Sequence, residues 1–436
     1  MSDTYTTTTR QGWGSRLGGS LKGILVGIVM FVASFVLLWW NEGRTVKQTR
    51  ALNEGGKAVV DVAADRVEAA NEGALVHVVG VATNLESLED AAFGVSADAL
   101  VLRRHVEMYQ WVEHSKTSQK VAMGGAETTT TEYSYEKAWT EGRQASEHFA
   151  RPEGHENPAQ KYESEYWVAR AKLGAFDLPG ERLLGIGGAE RIAWEPEWVP
   201  AAERVALREA EIAAAKAGAG AEVEQSAEGA DGETAAEVSA AASELAPLSL
   251  EAEQALDAAK PLKKVRNGFY YGKNPDVPEV GDLRIEFTEV KARDVSVVAA
   301  QQGSGFGAWA AKNGRTIFLM SDGRRSAAEM FESAHSANKL LAWLLRLAGF
   351  ALMCFGLKGI TYPLKVLADV LPFLGSVVGW LMGTASFLVA LPLTLLTIGL
   401  AWVAYRPLVG VPLLVAAGAL AVWGIARKKN VTDVEK

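Results

Sequence analysis

Apolar and polar positions are segregated along this chain by region. Leu21 to Trp40 is an apolar run with no charge after Lys22. A hydrocarbon core about 30 Å thick needs roughly 20 helical residues to cross it, so 21–40 is predicted to be a first transmembrane helix. Trp39 and Trp40 close the run and Asn41, Glu42, Gly43 and Arg44 follow it, aromatics and then charges, as at a membrane exit. A cleaved signal peptide is the competing reading. The run is too long for a typical signal core, and a double Trp stands where a small-x-small cleavage site would be.

The second apolar zone lies near the C-terminus. Ser326-Ala327-Ala328-Glu329 has capping-box spacing, and Met330, Phe331, Ala334, Ala337 and Leu341 follow at helical intervals. No breaker separates them from the apolar run 340–357. Residues 326–357 are therefore predicted to form one continuous helix entering transmembrane helix 2, a stiff link between domain and bilayer. After Lys358, the stretch from Val370 to Val403 is interrupted by Pro372 and Pro392. It is too long for one upright span, so 364–405 is read as an interfacial or re-entrant segment to about Gly379 followed by transmembrane helix 3. Residues 408–426 form the predicted transmembrane helix 4, and 427–436 a basic tail.

Between the two zones, 44–325 contains no run of spanning length. Asp282 to Thr288 alternates polar and apolar positions, as a half-buried strand does. Tyr133, Tyr135 and Trp139 alternate likewise. Ala74–Val81, Val101–Val112 and Thr316–Met320 add further strand candidates. Within this region 201–260 turns Ala- and Glu-rich, which predicts a helical or disordered insertion. Residues 1–20 are Thr-, Gly- and Ser-rich and are expected to be a flexible cytoplasmic tail. The expected fold class is an integral membrane α-helical anchor of about four spans plus a β-rich α+β extracytoplasmic domain.

Charge refines the orientation. Arg10, Arg16 and Lys22 precede the first span, Lys358 and Lys365 follow the second, and Arg427, Lys428 and Lys429 follow the last. Four spans then satisfy the positive-inside rule, with both termini cytoplasmic and 44–325 on the opposite side; five would place the terminal basic cluster outside. The 436 residues carry 44 Lys+Arg against 52 Asp+Glu, which argues against nucleic acid as a partner. Cys354 is the single cysteine, so no disulfide framework forms within the chain.

Candidate chemistry is sparse. Gly19, Gly23 and Gly27 recur every four residues, as do Gly375, Gly379 and Gly383, a spacing that lets helix backbones approach closely, within the chain or between copies. Trp39, Trp40, Arg44, Arg346, Arg406, Arg427, Lys428 and Lys429 are the expected membrane-interface anchors. Arg346 lies inside the second span, about two turns from its outer end, and is expected to snorkel to headgroups, since no acid sits in the apolar part of any span. The six histidines form no HExxH or paired Cys/His spacing, so no metal site is expected, and no cofactor. Gly303-Ser304-Gly305-Phe306-Gly307 lacks the Lys-Ser/Thr ending of a phosphate-binding loop, and no GxSxG elbow occurs.

One span ending in Trp39-Trp40-Asn41-Glu42-Gly43-Arg44, a large soluble region, and closely spaced C-terminal spans that include Tyr405-Arg406-Pro407 resemble the LUMA family, also called the transmembrane protein forty-three family. In animals that resemblance implies the inner nuclear membrane and endoplasmic reticulum, self-association, and lamina-linked partners such as emerin. The Ala- and Gly-rich composition looks bacterial, so those partners are not carried over. What carries over is the type: a non-enzymatic multispanning organiser or scaffold of the bacterial inner membrane with a periplasmic domain. The expected partners are the lipid bilayer, further copies of itself and other envelope membrane proteins. The alternative is a membrane enzyme or transporter for a lipid-soluble substrate, with its site at the Pro-interrupted helices.

Overall fold

The computed structural model describes residues 3–192, 262–265, 268–412 and 415. In chain order the elements that matter below are β1 (Asp3–Gln11), α1 (Trp13–Ala58), β2 (Val60–Val62), β3 (Leu75–Asn84), β4 (Val101–Val121), β5 (Glu127–Glu141), β6 (Ala171–Leu173), β7 (Phe176–Leu178), β8 (Leu262–Val265), β9 (Gly268–Tyr271), β10 (Leu283–Val290), β11 (Arg293–Gln302), β12 (Gly305–Gly307), β13 (Leu319–Asp322), α2 (Ala327–Ala368) and α3 (Pro372–Tyr405). Among the described residues, α1, α2 and α3 are long and apolar enough to cross a membrane. The expected insertion 201–260, nearly all of the fourth span 408–426, and the tail with Arg427, Lys428 and Lys429 lie outside the described residues.

Two large sheets build most of the β-rich domain. One runs β1-β5-β4-β10-β9-β8, its neighbours all antiparallel. The period-2 pattern that predicts β10 is seen as alternate burial of Leu283, Ile285 and Phe287 over Phe93 and Phe269. In the other sheet, β11 pairs with both β3 and β12, which closes β3, β11, β12, β7 and β6 into a ring. Leu173, Phe176, Val297 and Phe306 belong to its core, with the Phe176 and Phe306 rings stacked 5.0 Å apart.

The helices enter this domain without a linker. α1 continues past the Trp pair to Ala58, and Ala51 and Leu52 join Leu75, Val298, Ile317, Met330 and Phe331 in one core. α2 starts at that core. Its Ser326 side chain accepts from the Glu329 N–H while the Glu329 carboxylate accepts from the Ser326 N–H at 2.8 Å, the reciprocal capping box. Ser326→Ala should lower stability by about 1 kcal/mol, read by thermal unfolding in mild detergent. Hydrogen bonds from the Ser326 backbone and then its hydroxyl hold the Glu329 carboxyl below its usual value. A depressed carboxyl stabilises the fold above its unfolded-state pKa, and that contribution is lost as pH falls through the depressed value. Glu329→Gln should therefore match the parent in strong acid and fall behind it at neutral pH.

Three expectations need correction. The expected flexible tail 1–20 is ordered from residue 3: Asp3–Gln11 pairs with Glu127–Tyr135, Thr6 opposite Glu132 and Thr9 opposite Thr129. Runs of β-branched Thr suit a pleated strand although they look like a linker by polarity alone. The segment 364–379 is not an element of its own: its first residues end α2 and its last begin α3. α2 continues through Pro363 to Ala368, the chain turns at Asp369–Leu371, and α3 runs unbroken to Tyr405 with Pro392 inside it. Pro372 stands at the start of α3, where its missing N–H has no helical partner to lose.

The third correction concerns sidedness. A bilayer separating 1–20 from 44–325 would divide β1 from β5, yet the two share a sheet. β4 and β5 extend beyond the domain body as a hairpin, with β1 along its outer side. Its tip reaches the N-terminal end of α1, where Gly124 N–H donates to the Val370 carbonyl at 3.0 Å. Gly125 has φ +77°, and an added Cβ would lie 2.4 Å from the Trp13 ring, so only glycine fits that turn.

Candidate functional site

The residues that follow the first apolar run form a buried polar node joining all three long helices. α1 and α2 pack along their length on a seam of α1 residues seven apart, Ser20, Gly27, Ser34 and Asn41, all buried. A 3.5-residue repeat keeps one face of α1 on its neighbour, as in a coiled coil. At the end of the apolar run this seam turns polar. Asn41 Nδ2 donates to the Ala342 carbonyl at 3.0 Å, and Asn338 Nδ2 donates to the Thr45 carbonyl and to Thr49 Oγ1, both at 3.2 Å.

Glu42 is the centre of the node and is fully buried. Arg346 Nε donates to Glu42 Oε1 at 2.6 Å and Nη2 to Oε2 at 2.9 Å, a bidentate pair. Trp402 of α3 donates from Nε1 to Glu42 Oε2 at 2.8 Å. The Arg346 guanidinium also lies 4.9 Å from the Trp343 ring centre and 5.8 Å from that of Trp402. One carboxylate thus receives donors from α2 and α3 at once. The expectation that Arg346 has no acid and snorkels is corrected. Its partner is Glu42, just beyond the end of the apolar run.

The neighbours extend the node. Gly43 admits the Tyr405 ring, whose Cζ would stand 2.8 Å from a Cβ at that position. Trp39 packs on the same ring at 5.9 Å, and Arg50 donates to the Tyr405 carbonyl at 2.8 Å. Arg44 donates to Asn338 Oδ1 at 3.0 Å and to Thr45 Oγ1 at 3.2 Å. Burial, and after it the charge of Arg315, lowers the Arg44 pKa, which still leaves a guanidinium protonated. Trp40 remains half exposed, and the Arg406 carbonyl caps the turn after α3 by accepting from Val409 and Gly410.

A second buried cluster closes the other end of the bundle. Arg16 meets Asp369 at 2.6 Å and Glu127 at 2.8 Å and donates to the Gly125 carbonyl at 2.7 Å. Trp13 Nε1 donates to the Val366 carbonyl at 2.8 Å. Helix ends and hairpin tip are therefore fastened together.

Of the predicted glycines, Gly27 is packed within the chain, where a Cβ would stand 2.7 Å from the Ile360 nitrogen and 2.8 Å from the Gly356 oxygen. Gly375 abuts Asp369 and Gly379 abuts Lys365, while Gly19, Gly23 and Gly383 face open space. Gly356 and Gly359 on α2 are the true counterparts of Gly27, and they form no tandem triplet that would mark them in the sequence. Among the described residues no group of three or more His, Cys, Asp or Glu is arranged to hold a metal.

The profile of the family described as Transmembrane protein 43 matches residues 108–407. The Transmembrane protein 43 of Rattus norvegicus is 31% identical over 415 residues, covering 92% of this chain and 89% of the relative. That of Homo sapiens is 31% identical over 436 residues, covering 97% and 94%. The Drosophila melanogaster homolog is 27% identical over 410 residues, covering 92% and 93%. No solved structure matches.

Proposed function

Because the chain belongs to the Transmembrane protein 43 family, a family of membrane proteins, we propose that it is a non-enzymatic organiser of its membrane. It holds a water-facing β domain rigidly to the bilayer and assembles with further copies and with other envelope proteins. The bilayer is that of a bacterial inner membrane, with the domain body on the periplasmic side. The observation that carries this reading is the Glu42 node: a single carboxylate ties α1, α2 and α3 together where the apolar runs end and the domain begins. A tether would need a flexible linker there. Instead α1 and α2 pass unbroken from the bilayer into the domain core.

Pulsed electron-spin distances in proteoliposomes, between labels at Val277 in the domain and Leu25 on α1, test the joint. Both side chains are exposed. One narrow distance distribution is expected, and a broad one would overturn the rigid anchor. Native mass analysis in mild detergent tests the assembly. A strict monomer carrying one defined metabolite would favour the enzyme or transporter reading instead.

A further inference from the structure

A layer of positive charge lies just past the apolar bundle, on the side of the β domain. Each long helix sets aromatic side chains around Glu42: Trp39 and Trp40 on α1, Trp343 on α2, Trp402 and Tyr405 on α3. Trp39, Trp40 and Trp343 are exposed, as rings at a bilayer interface are. Beyond this belt come Arg44, Lys47 and Arg50 of α1, Lys339 of α2, Arg406 after α3, and Arg315. From Arg44 to Arg50 helix α1 rises about 9 Å, so its three cations occupy a shallow layer. Contacts with α1 bring the others to the same depth. Arg44 donates to Asn338, the neighbour of Lys339, and Arg50 donates to the Tyr405 carbonyl, which Arg406 follows.

Arg315 belongs to the loop 311–315, between the paired short strands Trp309–Ala310 and Thr316–Ile317. α1 holds that loop in place: Asn313 Nδ2 donates to the Lys47 carbonyl at 2.7 Å, and the Lys312 N–H to the Glu54 carboxylate at 3.2 Å. Elsewhere on the domain arginines face acids, as in Arg143–Glu147, Arg170–Glu86, Arg293–Asp322 and Arg324–Asp294. Here they do not. Among the described residues none of the six cations makes an ion pair with an acid of the chain. The two acids of α1 are engaged, Glu42 by Arg346 and Trp402 and Glu54 by the Lys312 backbone. α2 has no acid from Ser333 to Ala368, and α3 has none at all. Arg44 shows the consequence. Its guanidinium rests on neutral partners, Asn338 Oδ1 and Thr45 Oγ1, and burial and then the charge of Arg315 lower its pKa.

We propose that this layer binds anionic glycerophospholipid headgroups of the leaflet facing the domain, selecting them from the neutral lipid around the bundle. The inference rests on the membrane-anchored reading above. Cations gathered without acids repel one another, and a bilayer surface offers phosphate as the missing counter-charge. Guanidinium forks match phosphate oxygens two at a time, and ammonium groups add point charge. Near an anionic surface each basic residue contributes about fivefold in affinity. The face of α2 argues for a lipid over a free phosphate. Lys339, Trp343 and Leu347 follow one another at intervals of four residues, so they share one side of the helix, and all three are exposed. A cation, an interfacial ring and an apolar side chain stand there in the order in which a lipid presents phosphate, ester region and acyl chain. A free phosphate would use only the first.

The test is native mass analysis of the full chain released from nanodiscs made of equal parts phosphatidylglycerol and phosphatidylcholine. The parent is expected to retain phosphatidylglycerol over phosphatidylcholine by about tenfold or more. Lys47→Gln, Arg50→Gln, Arg315→Gln and Lys339→Gln together leave Arg44 and the Glu42 node intact and should bring that ratio near one. Each change alone should lower it severalfold, which decides the matter if the combined variant fails to fold. A parent ratio near one would overturn the proposal, as would a folded combined variant that keeps the parent ratio. Displacement of the retained lipid by millimolar inorganic phosphate would overturn it too, since the layer would then be a free-phosphate site. Release of the full chain from native membranes by alkaline carbonate would instead sink the anchor reading, so the two failures are distinguishable.

Discussion

Replacing Arg346 by methionine should cost the detergent-solubilised protein about 3–5 kcal/mol, the penalty for leaving a buried charge without its partner. Glu42 is fully buried, and two of its three charge-bearing hydrogen bonds come from Arg346. Trp402 alone cannot compensate a carboxylate near the hydrocarbon boundary. Trp402→Phe should be milder, about 1.5–3 kcal/mol, since it deletes one hydrogen bond to a charged acceptor and keeps the ion pair. The decisive comparison is Glu42→Met with Arg346→Met together. If the node serves geometry more than net stability, the double variant should recover most of what either single one loses. Reversible unfolding in mixed micelles gives all four corners of the cycle. Equal and additive losses would mean that the two side chains act separately.

The sequence made the long-range architecture readable where the cause is local. A run of apolar residues flanked by charges, the alternation in Leu283 to Phe287, and the Ser326–Glu329 spacing each carry their physics within a few positions. What stayed hidden depends on partners distant in the chain. Asp3–Gln11 is a strand only because residues 127–135 supply its ladder; alone it is a polar tract. Arg346 and Glu42 are 304 positions apart. A signal for that pair did exist: an arginine inside one apolar run and an acid directly after another. Charges at membrane depth pair with one another, and Glu42 lies within one turn of the end of the first run. The turn at Asp369–Leu371 was obscured for another reason. Pro372 and Pro392 look alike in sequence, yet one opens a helix and the other rides inside it.

The glycines separate into two groups with opposite expected signs. At Gly27 and Gly356 the two helices touch backbone to backbone: a Cβ at Gly356 would lie 2.7 Å from the Phe31 nitrogen and 2.9 Å from the Gly27 oxygen. Rotamer changes cannot relieve such contacts, so alanine at either position must push α1 and α2 apart, and overpacking of this kind costs about 1–3 kcal/mol, more for valine or leucine. At Gly19, Gly23 and Gly383 a Cβ meets nothing. There alanine should be neutral or stabilising by up to about 1 kcal/mol, because glycine is a poor helix residue. The same Gly→Ala change in one protein, read by the same unfolding assay, should therefore lower stability at 27 and 356 and not at 19, 23 or 383. If Gly23→Ala proved as damaging as Gly27→Ala, something outside the single chain would have to occupy the space beside Gly23. If Gly27→Ala were harmless, the close crossing that carries the Ser20–Asn41 seam would not exist, and the alignment of Glu42 with Arg346 would need another source.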